Sequence, residues 1–389
     1  MLNDPLDTGL DTVAGPIETA RGLPNTHYTS DSVFEEEREA LLFCNWSGIG
    51  VGADIPEAGD VMPVEFAGMP LLLIRGHDGQ VRVFQNTCRH RGMILVEKAG
   101  NLRGTIRCPY HSWCYNLDGS LRATPHVGGP GRNLDPNIRR DELGLIEIRS
   151  AMWRDIVFVN ISGDAPEFAE YAATLLERWC EHEHPVHHGG EASSFTFDVA
   201  CNWKLAIENY CESYHLPWIH PGLNSYSRLE DHYHIEAPGK FAGQGTRVYR
   251  QIEGENGERF PDFPGLSEFW DEGAEYVALF PNVMLAAQRD HCYAIILLPQ
   301  GKDRTIERNE IYYSFDPQTR PDLKSLIDRN AVQWRGVLEE DLFVVEGMQK
   351  GRKGVFFDGG KFSPAMDGPT HVFHRWAAGR MQDHRANRN

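Results

Sequence analysis

Cys88-Arg89-His90 and Cys108-Pro109-Tyr110-His111-Ser112-Trp113 are the two stretches that decide how this chain is read. Each offers one thiolate and one imidazole, and the residues between them read as strand and turn. Two sulfurs can therefore fall on one metal ion and two neutral nitrogens on another. A structural zinc site also uses two Cys and two His, but it usually pairs the cysteines in one knuckle and the histidines on a helix. Here the two residue types alternate.

Such mixed ligation suits a [2Fe–2S] cluster of the Rieske type, in which two histidines replace two cysteines on one iron and raise the reduction potential. Zinc is the competing reading of the same four ligands. The second informative segment is residues 202–221. At helical spacing Glu208, Glu212 and His215 fall at i, i+4 and i+7 and share a face. Pro217 is expected to end that helix, with His220 following in a loop or on a new turn. Two histidines need one carboxylate to complete the facial triad of a non-heme Fe(II) site, which leaves positions open for dioxygen. Residues 321–349 read as a long helix with Ile327, Ala331, Trp334, Leu338, Val345 and Met348 along one stripe, and Asp341 falls within it. Glu339, Glu340 and Glu346 fall off the stripe and read as solvated charges. A buried carboxylate needs a cation or donor, so pairing with an arginine is the structural alternative for Asp341.

With both signatures in place, the chain resembles the catalytic (α) subunit of the Rieske non-heme iron oxygenases, over nearly its whole length. The resemblance implies Cys88 and Cys108 on one cluster iron, His90 and His111 on the other, and His215, His220 and Asp341 on a mononuclear iron. It implies that Glu212 takes the place of the bridging carboxylate linking His111 to His215 across a subunit boundary, with Asn209 as a further catalytic candidate. It also implies a homotrimer, dioxygen and a small molecule as substrates, and electrons from a separate flavin- or ferredoxin-type reductase through which alone NADH contributes. Two positions depart from the family pattern. The bridging residue is most often Asp, and Glu resembles the branch acting on quaternary ammonium compounds such as choline, carnitine and betaines. Ser112 stands where the second loop usually has Gly, a residue that tolerates positive φ. The expected activity is hydroxylation or oxidative demethylation of a small organic compound, a quaternary ammonium or betaine among the candidates. Hydroxylation of an aromatic ring is the alternative, and a non-catalytic electron-transfer or zinc-binding protein is a third class.

Composition agrees with an enzyme of this kind. The 389 residues exceed the usual size of one core, and 41% hydrophobic with 11% aromatic content is ordinary for a globular protein. With 38 Lys and Arg against 56 Asp and Glu, the net charge of −18 argues against nucleic acid as a partner. Of eight cysteines, two are claimed by the cluster. The other six read as buried thiols of a reducing compartment. No run approaches membrane-spanning length and the first residues lack a signal-peptide pattern, so no membrane partner and a cytoplasmic location are expected.

The expected fold is α+β: an antiparallel β Rieske domain followed by a catalytic domain that the resemblance identifies as helix-grip. Residues 1–46 read as a leader and short helix capped by Asp31 or Ser32. Residues 47–160 form the cluster domain, with hairpin signals at Ala67-Gly68, Asp78-Gly79 and Asp118-Gly119. Residues 161–389 form the mononuclear iron domain, opening with a helix capped by Asp164 and continuing with strands at 194–199, 276–286, 293–299 and 307–315. The cavity is expected between sheet and helices, lined by Phe280, Asn282, Met284, Tyr293 and the loop 223–234, with Trp218, Tyr226, Tyr233 and Tyr293 as candidate aromatic walls. The Gly48–Gly52 run is not followed by a helix, which excludes a dinucleotide fingerprint. The histidines of residues 182–188 read as surface.

Overall fold

The structure is a computed structural model and describes residues 7–388; the first six residues of the expected leader and Asn389 lie outside them. The chain divides into two units, Gly48–Asp164 and the combination of Met1–Ser47 with Ala165–Asn389. The expected leader is therefore not a separate segment but part of the second unit. Buried charges account for this. Lys204 Nζ donates to Glu37 Oε2 at 2.6 Å with both side chains buried, and His27 Nδ1 lies 2.7 Å from Glu37 Oε1. Burial pushes the Glu37 carboxyl up, but Lys204 and His27 outweigh it and hold the group below its ordinary range. The helix Asp31–Glu37 is capped by Ser30, whose Oγ accepts from Val33 N, rather than by Asp31 or Ser32.

The unit Gly48–Asp164 is built on an antiparallel sheet in the order Ser47–Val51, Ile156–Asn160, Glu147–Trp153, Val81–Gln85, Met69–Arg75, Asp60–Phe66 and Gly100–Asn101. Phe66 pairs with Met69 across the two-residue turn Ala67-Gly68. Both turn residues have positive φ, 47° and 80°, as a type I′ hairpin requires. A smaller sheet of Ile106–Arg107, Cys114–Tyr115 and Leu121–Ala123 carries the second cysteine loop. Cys88 and Cys108 are buried in one hydrophobic cluster with Trp113, Tyr115 and Phe84.

In the other unit, the antiparallel sheet runs His187–His188, Arg304–Tyr313, His291–Gly301, Val283–Ala287, Ala274–Leu279, Phe241–Thr246 and His232–Ala237, with Ser194–Val199 also paired to Arg304–Tyr313. The strand expected over 276–286 is in fact a hairpin. Pro281, which has no N–H to give the ladder, stands in the turn, and Ala278 pairs back to Met284. The helices Trp203–Cys211, Lys324–Gly351 and Gly368–Arg388 pack on this sheet, the first touching the other two. The last of these was not foreseen.

Three local expectations change. The helix placed after Asp164 is two short pieces, Phe168–Tyr171 and Ala173–Arg178, preceded by Glu167; Asp164 instead accepts from Ser162 Oγ. His182 is not on the surface but fully buried, 4.1 Å from Trp270 between ring centroids, with Nε2 3.1 Å from Gln288 O. Among the cysteines Cys180 is exposed and Cys44 only partly buried. No helix among the described residues is long and apolar enough to cross a membrane.

Candidate active site

The two cysteine loops share one backbone design. Cys88 N donates to Met93 O at 2.8 Å and Gly92 N to Cys88 O at 2.9 Å. In the second loop Cys108 N donates to Trp113 O at 2.8 Å and Ser112 N to Cys108 O at 3.0 Å. Gly92 and Ser112 occupy the same place in each loop, and both have positive φ, 72° and 58°. Ser112 thus holds the left-handed conformation that the glycine expected there would hold without a Cβ penalty. His90 and His111 have ring centroids 4.8 Å apart, and His90 stacks on Trp113. Burial, then the neighbouring His111, pushes His90 down and favours the neutral imidazole that a metal needs. His111 Nδ1 is buried with no hydrogen-bond partner, a nitrogen left free for coordination. Burial pushes the Cys88 thiol up, with Cys108 adding to the rise. A metal would relieve this by taking the thiolate form. Tyr115 Oη lies 3.3 Å from Cys88 Sγ and accepts from Arg89 N at 3.0 Å, which leaves its own proton available to a thiolate sulfur there. The four side chains fit a two-iron cluster.

In the catalytic unit the helix Trp203–Cys211 starts at Asn202, whose side chain accepts from Lys204 N, and stops at Cys211. Glu212 is extended, at φ −122° and ψ 157°, so the shared helical face expected for Glu208, Glu212 and His215 does not exist. The Glu212 carboxylate explains the break, because it accepts from the N–H groups of Tyr214 and His215 and so caps the next turn. Pro217 opens the short helix Leu216–Ile219 instead of ending a long one. Glu208 turns away toward Tyr28, Arg352 and His374, in a buried structural network.

This turn brings His215 and His220 beside the long helix. Their ring centroids are 5.1 Å apart, and Asp341 Oδ1 lies 3.1 Å from His220 Nε2 and 3.7 Å from His215 Nε2. The three potential ligand atoms lie within 4.8 Å of one another. Asp341 Oδ1 is buried yet has no hydrogen-bond partner. Lone pairs aimed at one point, rather than bonded to each other, fit a metal ion better than a structural cluster. The other nitrogen of each ring is held by a carboxylate, His215 Nδ1 by Glu212 Oε1 at 2.7 Å and His220 Nδ1 by Glu340 Oε2 at 2.8 Å. Such partners fix the tautomer with Nε2 free. Glu340 is therefore not merely a solvated charge.

The three residues line a cavity of about 50 Å³, together with Asn209, Tyr210, Gln244, Tyr276, Tyr293 and Trp334. Of the expected wall, Tyr293 is here together with Leu223 and His232 of the loop 223–234; Tyr226 borders a smaller adjoining cavity. Trp218 is 68% exposed and packs on Tyr214. Tyr233 Oη donates to Glu275, Phe280 packs on Phe373 and Trp376, Asn282 donates to Leu297 O, and Met284 is core. The unforeseen Tyr276 is set by register: it pairs with Ala286, which pairs with Tyr293, so both tyrosines project from one face. Trp334 had a signal in the sequence, standing seven residues before Asp341 on the same helical stripe. A larger cavity, about 780 Å³, lies between residues 9–29 and 352–359 and shares no side chain with the triad.

Residues 45–135 match the Rieske [2Fe–2S] domain and residues 176–383 match the ring hydroxylating alpha subunit (catalytic domain). The carnitine monooxygenase oxygenase subunit of Escherichia coli (strain K12) is 28% identical over 341 residues, which cover 85% of this chain and 84% of that protein. In fold the chain is similar to the quaternary ammonium Rieske monooxygenase CntA, with a TM-score of 0.77 and 23% identity over 96% of this chain and 98% of that one. It is similar to the same degree to naphthalene 1,2-dioxygenase from Rhodococcus sp., with a TM-score of 0.78 and 18% identity over 98% and 99% of the two chains, so fold alone does not choose between an ammonium and an arene. A cluster domain followed by a catalytic domain is the order of these two matches, and the chain belongs to the ring-hydroxylating alpha subunits of the Rieske oxygenases.

Proposed function

We propose that this Rieske oxygenase acts on a small trimethylammonium compound and oxidises one of its N-methyl groups, so that the hydroxymethyl product collapses to formaldehyde and the demethylated amine. The observation that carries this reading is the wall facing the triad. Tyr276, Tyr293 and Trp334 stand with centroids 6.4, 4.8 and 6.3 Å apart, and no lysine or arginine lines that cavity. A desolvated cation over such rings gains ~2 kcal/mol or more.

In this reading Cys88, Cys108, His90 and His111 hold the cluster, and His215, His220 and Asp341 hold the iron. When bound, the cluster supplies electrons and the mononuclear Fe(II) activates dioxygen. The chain itself supplies position and tuning. Glu212 and Glu340 orient the two imidazoles, the aromatic wall turns a methyl group toward the triad, and Asn209 stands within the same cavity. Glu212 also accepts an imidazole N–H from His111 of a neighbouring copy, which requires an oligomer, a trimer by resemblance. A separate flavin- or ferredoxin-type reductase delivers the electrons, in the cytoplasm.

The test is a panel of trimethylammonium compounds and arenes given to the reconstituted holoenzyme with a reductase, scored for oxygen uptake and formaldehyde. Formaldehyde in step with oxygen uptake is expected for the ammonium compounds. Dihydroxylated arenes with no turnover of any ammonium compound would overturn the reading.

A further inference from the structure

The row of side chains that forms the aromatic wall continues one strand further. Gln244 pairs with Tyr276, Tyr276 with Ala286 and Ala286 with Tyr293, so Gln244 shares their face of the sheet and lines the same cavity. It is buried, at 7% exposure, and a buried amide needs partners at both ends. Nε2 donates to the main-chain oxygen of Glu212 at 3.3 Å, and Oε1 lies 2.6 Å from His232 Nδ1.

These bonds have one direction. A carbonyl only accepts, so the amide nitrogen faces Glu212, the amide oxygen faces His232, and Nδ1–H is the donor between them. Burial pushes His232 below its ordinary value against the opposing bond to Gln244. The ring is therefore neutral, and its Nε2 accepts from Ser227 Oγ at 3.0 Å. Ser227 in turn accepts from Thr246 Oγ1 at 2.8 Å, and Thr246 accepts from Val248 N at 3.1 Å. The chain of donors ends on the carbonyl of Glu212.

That carbonyl stands where the helix Trp203–Cys211 breaks. Its direction is set by ψ of Glu212, which is 157° against about −42° in a helix. Residues 208–215 contain no proline or glycine, so the local sequence does not impose the extended value. A return to helical ψ would carry the N–H groups of Tyr214 and His215 away from the Glu212 carboxylate that caps them.

We infer that Gln244 is a positioning residue of the electron route: by holding the Glu212 carbonyl it keeps that residue extended and aims its carboxylate at His215 and at the imidazole of a neighbouring copy. The inference rests on the bridge reading of Glu212 and adds to it a residue that is neither a ligand nor the bridge. An amide that merely filled the sheet face would be replaceable by an apolar side chain of its size.

Gln244→Met keeps the volume and removes both bonds. Gln244→Glu keeps an acceptor for His232 but sets an oxygen against the Glu212 carbonyl. Both are compared with wild type and Glu212→Gln as holoenzymes, by iron and cluster content and by hydrogen exchange of residues 212–216. Single-turnover oxidation of the pre-reduced cluster is followed with dioxygen and the compound of the substrate panel that the wild type turns over. We expect both Gln244 variants to load both metals and accept electrons normally, to oxidise the cluster about fivefold or more slowly, and to exchange those amides about fivefold faster, the weight of one hydrogen bond. Wild-type cluster oxidation or unchanged exchange in Gln244→Met, beside a slow Glu212→Gln, would overturn the inference and leave the bridge standing. Slowing in proportion to lost iron or lost fold in both variants would make Gln244 purely structural and overturn it as well. Near-normal oxidation in Glu212→Gln would remove the bridge reading itself.

Discussion

Glu340 Oε2 lies 2.8 Å from His220 Nδ1, while the next residue on the same helix, Asp341, places Oδ1 3.1 Å from Nε2 of the same ring. Consecutive helix positions diverge by about 100°, and here they reach the two nitrogens of one imidazole. With His220 proposed as an iron ligand, Glu340 is a positioning residue. Glu340→Ala should weaken Fe(II) retention about 10- to 100-fold, measured by competition with a chelator. Glu340→Gln, which keeps an acceptor oxygen, should stay near wild type in the same assay.

Tyr115 supplies a comparable contact on the cluster side, with Oη 3.3 Å from Cys88 Sγ. A donor to a cluster sulfur stabilises the more negative, reduced state. Tyr115→Phe should therefore lower the reduction potential of the cluster while leaving its visible spectrum recognisable. Spectroelectrochemical titration reads this directly, and an unchanged potential would mean the hydroxyl serves only Arg89 N.

The buried pair Lys204–Glu37 ties the N-terminal segment to the catalytic unit. Removing one partner strands the other in a dry site, so Lys204→Met should destabilise by about 3–5 kcal/mol. The double variant Lys204→Met/Glu37→Gln should recover much of that loss. Urea unfolding midpoints of the two variants and wild type check the ordering.

What the sequence discloses here depends on how local each signal is. Cys88, His90, Cys108 and His111 lie in two short loops whose ligand alternation is visible without any tertiary knowledge. His215 and His220 are legible for the same reason. Asp341 was reachable because a carboxylate on an apolar stripe is costly. The role of Glu340 was not, since it depends on how the 212–220 turn docks on a distant helix. Periodicity failed at Glu212 because a carboxylate capping the turn ahead of it ends the helix without any proline or glycine to announce it. The cavity wall was misassigned around Phe280 and Asn282 because a hairpin turn at Pro281 broke what reads as one strand. Tyr276 and Tyr293 meet only through pairing of three strands.

Glu307 lies buried on the strand Arg304–Tyr313, where burial, then the charge of Asp341, pushes its carboxyl from 4.5 up to about 8. Between those two values the folded state holds a proton that the unfolded state has released. The stability this group contributes is thus greatest at low pH, falls as pH rises through that window, and is constant above about 8. Glu307→Gln should flatten that part of the profile and gain stability over wild type at pH 8 but not at pH 4, with an upper bound of about 5 kcal/mol. Unfolding midpoints of the two proteins across this range are the measurement. A constant difference at all pH values would mean that Glu307 is ionised in the folded protein.

Glu212 carries two functions that a single substitution can separate. Its carboxylate caps the N–H groups of Tyr214 and His215 and holds His215 Nδ1 at 2.7 Å, so it shapes the iron-binding turn whatever else it does. As a bridge to a neighbouring copy's His111 it would in addition couple the two metal centres. Glu212→Gln keeps one acceptor oxygen for the cap on the Tyr214 and His215 N–H groups and places an amide NH2, which cannot accept, where the carboxylate offers its other oxygen to imidazole N–H groups. Both metal contents and normal reduction of the cluster should survive, while single-turnover oxidation of the cluster, with substrate and dioxygen present, slows by about 100-fold or more, a loss of ~3 kcal/mol in transition-state terms. Glu212→Ala should lose iron as well, because the cap is gone. Near-normal cluster oxidation in Glu212→Gln would confine this residue to the cap and His215, and electrons would then have to reach the iron by a route that avoids it.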